Sequence, residues 1–326
     1  MSGARRWPLW TTLIPLGIAA ATWFLVWQGF RDRLAEALAA VLPPATPVSI
    51  GGFPYRLEAR FGPVDLSRRD EALFARLEAR EVTVNRQPWR QDRQVINLVA
   101  PRLEVGLAPL AGISATVGAP SAQASLRLAD GRIGRLSLVW ETPTLRLGFL
   151  PVPVAADAFE AHVREPPAGL AKAGEAAATA LAVRGEAVLS GRGVRIGAGS
   201  PIQLDASFAL QAAHPVKALS GWTEGGRVEV RDLVLSDATG EVVRLMADLM
   251  PGGDGRVRAV GRIESVCPAS VRAALLGLPP VTEKRTRKPV SIGFEASLGS
   301  EVRLAPPPAG PPPPVRGQAP DCPRLR

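Results

Sequence analysis

An uncharged run from Leu9 to Phe30, LWTTLIPLGIAAATWFLVWQGF, constrains this chain more than any other feature. At about 1.5 Å per residue, a helix of that length reaches roughly 33 Å, enough to cross a bilayer's hydrocarbon core. Trp7 and Trp10 near its start, and Trp23 and Trp27 near its end, suit the two water–lipid boundaries. Pro15 lies inside the run, a placement that membrane helices tolerate better than soluble ones. The main competitor is a cleaved secretory signal, with Ala37 and Ala39 as its small residues. A signal core is shorter, about 7–15 residues, and this run carries bulky aromatics at its far end, so residues 9–30 read as a retained anchor. Arg5 and Arg6 on one side nearly balance Arg31 and Arg33 on the other. The simpler topology keeps residues 1–8 in the cytoplasm and carries the long C-terminal part across.

Residues 31–47 change character. Leu34, Ala37, Leu38, Val41 and Leu42 recur at helical spacing, a stripe that either lies on the membrane surface or docks on the body. Pro43, Pro44 and Pro47 then end the helix. From Val48 the period shortens to two. Tyr55, Leu57, Ala59 and Phe61 read as one face of a strand, with Arg56, Glu58 and Arg60 on the other. Similar alternation over 77–85, 94–99 and 102–108 predicts further strands. SLRLADGRIGRLSLVWE (125–141) reads as a hairpin about Asp130-Gly131. Residues 142–167, punctuated by proline, are expected to cross an edge, and alanine-rich 168–183 to form a linking helix. Strands resume over 186–196, 202–210, 226–264 and 290–298, with a short helix from Pro268 to Leu276. The expected architecture is mainly β: an elongated, curved antiparallel sheet forming a groove or sandwich, with few short helices. Its body spans 48–304 in halves of about 48–167 and 184–304. The proline-rich tail, 305–326, has no pattern able to enter a core and is expected to be extended or disordered.

The sheet's apolar face is expected to include Phe53, Tyr55, Leu57, Leu126, Leu128, Leu138, Trp140, Val228, Val230, Val257 and Ile263. Aromatic residues make up only 5% of the chain, so Leu, Val and Ala must build that face. The formal charge of +9 comes mostly from arginines scattered singly along alternations, without interleaved aromatics, which argues against nucleic acid as a partner. The dense cluster Glu283-Lys284-Arg285-Thr286-Arg287-Lys288 reads as a solvated loop or as a contact for anionic lipid or envelope polymer. Cys267 and Cys322 belong to no C-x-x-C pair. In an oxidising compartment they could form one disulfide, and two independent thiols stand as the alternative.

Chemistry-bearing patterns are scarce. His162 and His214 lie far apart and read as surface residues. The run Gly191-Arg192-Gly193-Val194-Arg195-Ile196-Gly197 lacks a following helix to hold a phosphate and reads as a loose turn. No nucleophile elbow, zinc-helix motif, P-loop or calcium loop occurs. Neither a metal nor a cofactor is expected, and catalysis is disfavoured.

The element Gly51-Gly52-Phe53-Pro54-Tyr55-Arg56-Leu57 behind the anchor, the stretch from Pro88-Trp89 to Ala100-Pro101, and the repeat from Gly226 to Val230 carry a resemblance. Over residues 1–300 the chain resembles domain-of-unknown-function family 2125, single-span proteobacterial envelope proteins, and more distantly AsmA-like envelope proteins. The family resemblance implies a single-span envelope protein, and the wider AsmA-like similarity a long antiparallel sheet whose apolar-lined groove suits lipid chains; with the topology read from the anchor, the expected location is the inner membrane with the C-terminal domain in the periplasm. It brings no catalytic residues. The expected function is to bind or conduct acyl chains in the envelope. The alternatives are a structural or assembly protein contacting other envelope proteins, and a hydrolase acting on envelope material.

Overall fold

The computed structural model of the chain describes residues 10–44, 46–69, 73–107, 114–129, 132–166, 181–212, 225–252, 256–297, 302–305 and 319–326. The apolar run and the stripe behind it form one helix, α1 (Trp10–Ala39), about 45 Å long. Pro15 lies in its second turn and removes one backbone hydrogen bond near the end rather than in the middle. Within it, Leu13–Ala39 is long and apolar enough to cross a membrane, with mean hydropathy 1.5.

The chain continues through β1 (Val48–Gly51), β2 (Leu57–Phe61), β3 (Val64–Arg69), β4 (Leu73–Ala79) and β5 (Glu81–Gln87). Then come β6 (Arg90–Val99), β7 (Arg102–Leu107), β8 (Ser114–Gly118), β9 (Ser121–Ala129) and β10 (Arg132–Glu141). Next are β11 (Thr144–Leu147), β12 (Val154–Ala155), β13 (Ala158–Arg164), β14 (Ala182–Ile196) and β15 (Ile202–Ala212). The last strands are β16 (Arg227–Asp237), β17 (Gly240–Pro251) and β18 (Val257–Ser265), then β19 (Val290–Ser297) and β20 (Val302–Leu304) after helix α2 (Pro268–Leu275). The strands form one antiparallel sheet. One arm runs β1-β2-β5-β6-β9-β10-β13, the other β3-β4-β7-β8-β11-β12, and 15-residue β14 pairs with both. From β14 to β20 each strand pairs with the next.

Prolines place the boundary between the arms. Gly62-Pro63, Ala100-Pro101, Ala119-Pro120 and Thr142-Pro143 each stand where the chain passes from one arm to the other. Proline has no N–H for the ladder, and it restricts the residue before it, so an otherwise continuous strand breaks there. Backbone bonds stitch the corner: Ala100 N–H donates to Pro120 O at 2.7 Å and Thr142 N–H to Asp157 O at 3.0 Å. Pro101 and Pro143 are fully buried. Residues 142–167, expected to wander across an edge, instead contribute β11, β12 and β13 to the sheet, because Pro143 sits at the corner and Pro151 and Pro153 in the β11–β12 turn. Of the helix expected over 168–183, residues 168–180 lie outside the described residues, as do the Asp130-Gly131 turn and His214, while Ala182 and Val183 belong to β14.

The glycine run expected to be a loose turn lies inside β14 from Gly191 to Ile196, with Gly197 alone in the turn after it. Its register shifts between Gly191 and Val194, a bulge, and Gly193 has φ +61°. A Cβ there would strike the Asp157 carboxylate, so the bulge needs glycine. β17 and β18 approach closely for the same reason: a Cβ on Gly261 would lie 2.2 Å from Met246 O.

The end of the tail departs from expectation. Cys267 and Cys322 are joined by a disulfide, and Leu325 is buried with Val243, Ile263 and Val271. The crosslink brings a short apolar residue to a core that its own sequence neighbourhood could not specify. The basic cluster is likewise not simply solvated. Lys284 pairs with Asp321 of the tail at 2.6 Å. Arg285 pairs with Asp237 at 2.6 Å, with side chains only 10% and 18% exposed. Burial alone would raise the Asp237 carboxyl, but hydrogen bonds from Thr239 and Arg285 outweigh it and hold it below the ordinary 3.8. The pair therefore contributes in full above that ordinary value, and its contribution is lost as pH falls through the lowered one. Asp237→Asn should be less stable than the parent at neutral pH, with the gap closing as pH falls below the ordinary 3.8 in acid-unfolding curves followed by circular dichroism. A gap that stays constant with pH would contradict this assignment.

Candidate functional site

Directly paired residues in an antiparallel sheet share a face, so the register follows one apolar surface across the body. It begins with Leu57, Ala59 and Phe61 on β2 and Val82 and Val84 on β5. It continues through Ile96 and Leu98, then Ala122, Ala124 and Leu126, then Leu136, Leu138 and Trp140. Phe159 and Ala161 carry it to Leu189, Leu204 and Phe208, and on to Val228, Val230 and Leu233. Leu245, Ala247, Ala259, Ile263, Ile292 and Phe294 complete it. Most of the strand residues expected on the apolar face, from Leu57 to Ile263, are on it: Leu126, Leu138, Trp140, Val228, Val230 and Ile263 by direct pairing, and Leu57 and Val257 by strand alternation. Leu128 lies beside a register shift at Ile133/Arg135 and pairs with Ile133.

Helices cover this surface at two places. At one, Trp27 and Leu34 of α1, 4% and 3% exposed, pack with Leu57, Phe61, Val84, Leu98 and Trp140. The stripe after the anchor thus docks on the body, although Ala37 and Val41 remain exposed. At the other, Val271 of α2 and Leu325 of the tail cover Val243 and Ile263. Between them Leu126, Leu136, Leu189, Leu210, Leu233 and Leu249 share the apolar surface while only half-buried.

Phe53 and Tyr55, expected on this face, are not part of it. They lie in the β1–β2 turn, 45% and 74% exposed, because the chain is not extended before Leu57 and alternation cannot be carried back through Arg56. Phe53 instead joins an aromatic cluster on α1: its ring lies 5.4 Å from Phe24 and 5.6 Å from Trp27. Trp23 packs at a 45° tilt, 6.1 Å between ring centres, against Trp89 of the β5–β6 hairpin. The indole N–H groups of Trp23 and Trp27 donate to Pro54 O and Arg56 O, at 3.0 and 3.1 Å. Tyr55, Trp89, Phe24 and Leu25 leave an exposed aromatic and apolar rim around the anchor.

Beside that rim lies a cleft of about 560 Å³, lined by Arg56, Arg86, Arg90, Arg93, Arg127 and Arg135 and by no carboxylate. Register explains the concentration. Arg93 faces Arg127, Arg127 faces Arg135, and Arg135 faces Arg164 on four neighbouring strands. Like charges directly opposite each other destabilise a sheet. At the far end Glu186 relieves the row, 2.7 Å from Arg164 and 3.0 Å from Arg231, and those two hydrogen bonds hold its carboxyl below the usual range. At the cleft the relief is partial: Glu58 binds Arg56 and Arg60, and Asp92 is 3.6 Å from Arg93. Among the described residues, Arg90, Arg127 and Arg135 make no ion pair, and the buried Arg86 Nε has no hydrogen-bond partner. Burial pushes the Arg86 pKa down. Sequence reasoning missed this row, since single arginines on alternating strands converge only once the pairing is known.

Among the described residues no group of acidic, histidine and cysteine side chains could hold a metal. His162 stands on the charged face, its Nε2 3.6 Å from Glu160 and its Nδ1 buried without a partner.

A family described as an uncharacterised protein conserved in bacteria, domain of unknown function 2125, matches residues 32–275. No curated protein and no solved structure matches the chain, so the AsmA-like resemblance has no match behind it.

Proposed function

The chain belongs to the bacterial domain-of-unknown-function family 2125, and from that premise we propose that it is a membrane-anchored envelope protein that holds or conducts acyl chains. The observation that carries the reading is the apolar surface, continuous across the sheet and half-buried between its two helical covers. Side chains there are mostly Leu, Val and Ala, which offer smooth aliphatic contact to a hydrocarbon chain. Position supports it too. The surface begins where α1 docks, so a chain leaving the bilayer beside the anchor meets apolar side chains at once.

The reading places the body in the periplasm of an inner-membrane protein, and the Cys267–Cys322 disulfide supports an oxidising compartment. Trp23 and Trp27 suit the water–lipid boundary at the body's end of the span, and the reading puts the rim of Tyr55 and Trp89 beside them at headgroup level. A binding role needs no catalytic residue, and His162→Ala should leave function intact.

Native mass spectrometry of the full chain after gentle detergent extraction tests the proposal. Phospholipid should be retained by the parent and lost on Leu210→Asp with Leu233→Asp, which place charge on the apolar surface. A parent free of lipid under conditions that preserve lipid in known carriers would contradict it.

A further inference from the structure

The arginine cleft borders the apolar surface at Leu126, but the rest of its lining is mostly basic and polar. Three observations point to an anionic ligand. Arg93, Arg127 and Arg135 are held in direct cross-strand register, an arrangement that costs stability unless something negative sits on it. The lining holds Asn85, Gln94, Ser125 and Ser137 as further polar partners but no acid. Arg86, which pairs with Leu57 and so lines the cleft from the apolar face, has a buried Nε without a partner. Guanidinium forks match phosphate oxygens in pairs, and several around one cleft suit a ligand with more than one phosphate. The volume of about 560 Å³ is that of a small-molecule site.

We propose that this cleft binds a group bearing two phosphates, supplied as the headgroup of a membrane lipid. The source follows from placement: Trp89 adjoins Arg90 in sequence, lies against Trp23 of the anchor and is 54% exposed, so the cleft opens at the level where headgroups lie. This rests on the membrane-anchored reading for the source of the phosphates, not for the anion chemistry.

The full chain, purified in dodecyl maltoside, is titrated with cardiolipin, phosphatidylcholine and sodium pyrophosphate, with binding read by native mass spectrometry and thermal shift. Cardiolipin should bind far more tightly than phosphatidylcholine. Each arginine removed should cost about tenfold, so Arg127→Gln with Arg135→Gln should lose about a hundredfold for cardiolipin. Because that variant removes like-charge neighbours, it should fold at least as well as the parent. Arg258→Gln, elsewhere on the sheet, should leave binding unchanged. Pyrophosphate binding as tightly as cardiolipin, and lost in the same variant, would overturn the lipid source. Cardiolipin binding unaffected by the double variant would overturn the site itself. Pyrophosphate carries no acyl chain, so its binding reports on the cleft whatever becomes of the apolar surface.

Discussion

Cys322→Ser should destabilise the C-terminal half by about 4 kcal/mol, the loop-closure value for a crosslink whose ends are 55 residues apart. The disulfide holds the last residues against α2, and several contacts depend on it. Cys322 N–H donates to Glu283 O at 2.9 Å, and the Lys284–Asp321 pair and the burial of Leu325 follow from the same attachment. Glu283 also accepts from the Ala269 and Ser270 amides at the start of α2, at 3.1 and 2.9 Å, where a carboxylate favours the helix dipole. Releasing the tail should therefore loosen α2 and uncover Ile263 and Val243. Amide hydrogen exchange would register this as faster exchange throughout α2 and β18, with β5 and β6 unaffected. Unchanged exchange in α2 would show that the tail contributes little. The same experiment with the parent and a reductant should reproduce the variant.

The second large effect is expected at Trp27. Its side chain is 4% exposed although it lies on the helix long and apolar enough to cross a membrane, and its indole satisfies Arg56 O. Trp27→Ala should weaken docking of α1 on the body by about 3–5 kcal/mol, the usual cost of emptying a large aromatic site. Insertion should survive, since Leu13 to Thr22 make no use of the body. With the chain in nanodiscs, protease cleavage after Arg56 and exchange of β1 and β2 should rise while α1 stays in the bilayer. A variant with parental protection at Arg56 would show that the body is held by other contacts.

How much of the fold and the site is legible in the amino-acid sequence divides along physical lines. Alternation in a strand is a local property, so Leu126 with Leu128, Leu138 with Trp140 and Val228 with Val230 are assignable to a face from sequence alone. The same rule fails at Tyr55, because the backbone there is not extended and side chains no longer alternate. Prolines 101, 120 and 143 are legible as strand breakers, but whether a break ends a sheet or turns it is decided by bonds to neighbouring strands. The arginine row has no local signature at all. Arg93, Arg127 and Arg135 meet only because their strands pair in one register. Leu325 is invisible for a related reason, since the disulfide, not its neighbours in sequence, delivers it to the core.

Acyl chains on one face of the sheet and not the other are the central claim, and site-specific photo-crosslinking in living cells tests it most directly. A benzophenone side chain at Leu210 or Leu233, on the half-buried apolar surface, should capture phospholipid, while the same group at Val188, 49% exposed on the charged face, should not. Capture at Val188 alone, or at none of the three positions, would contradict the account.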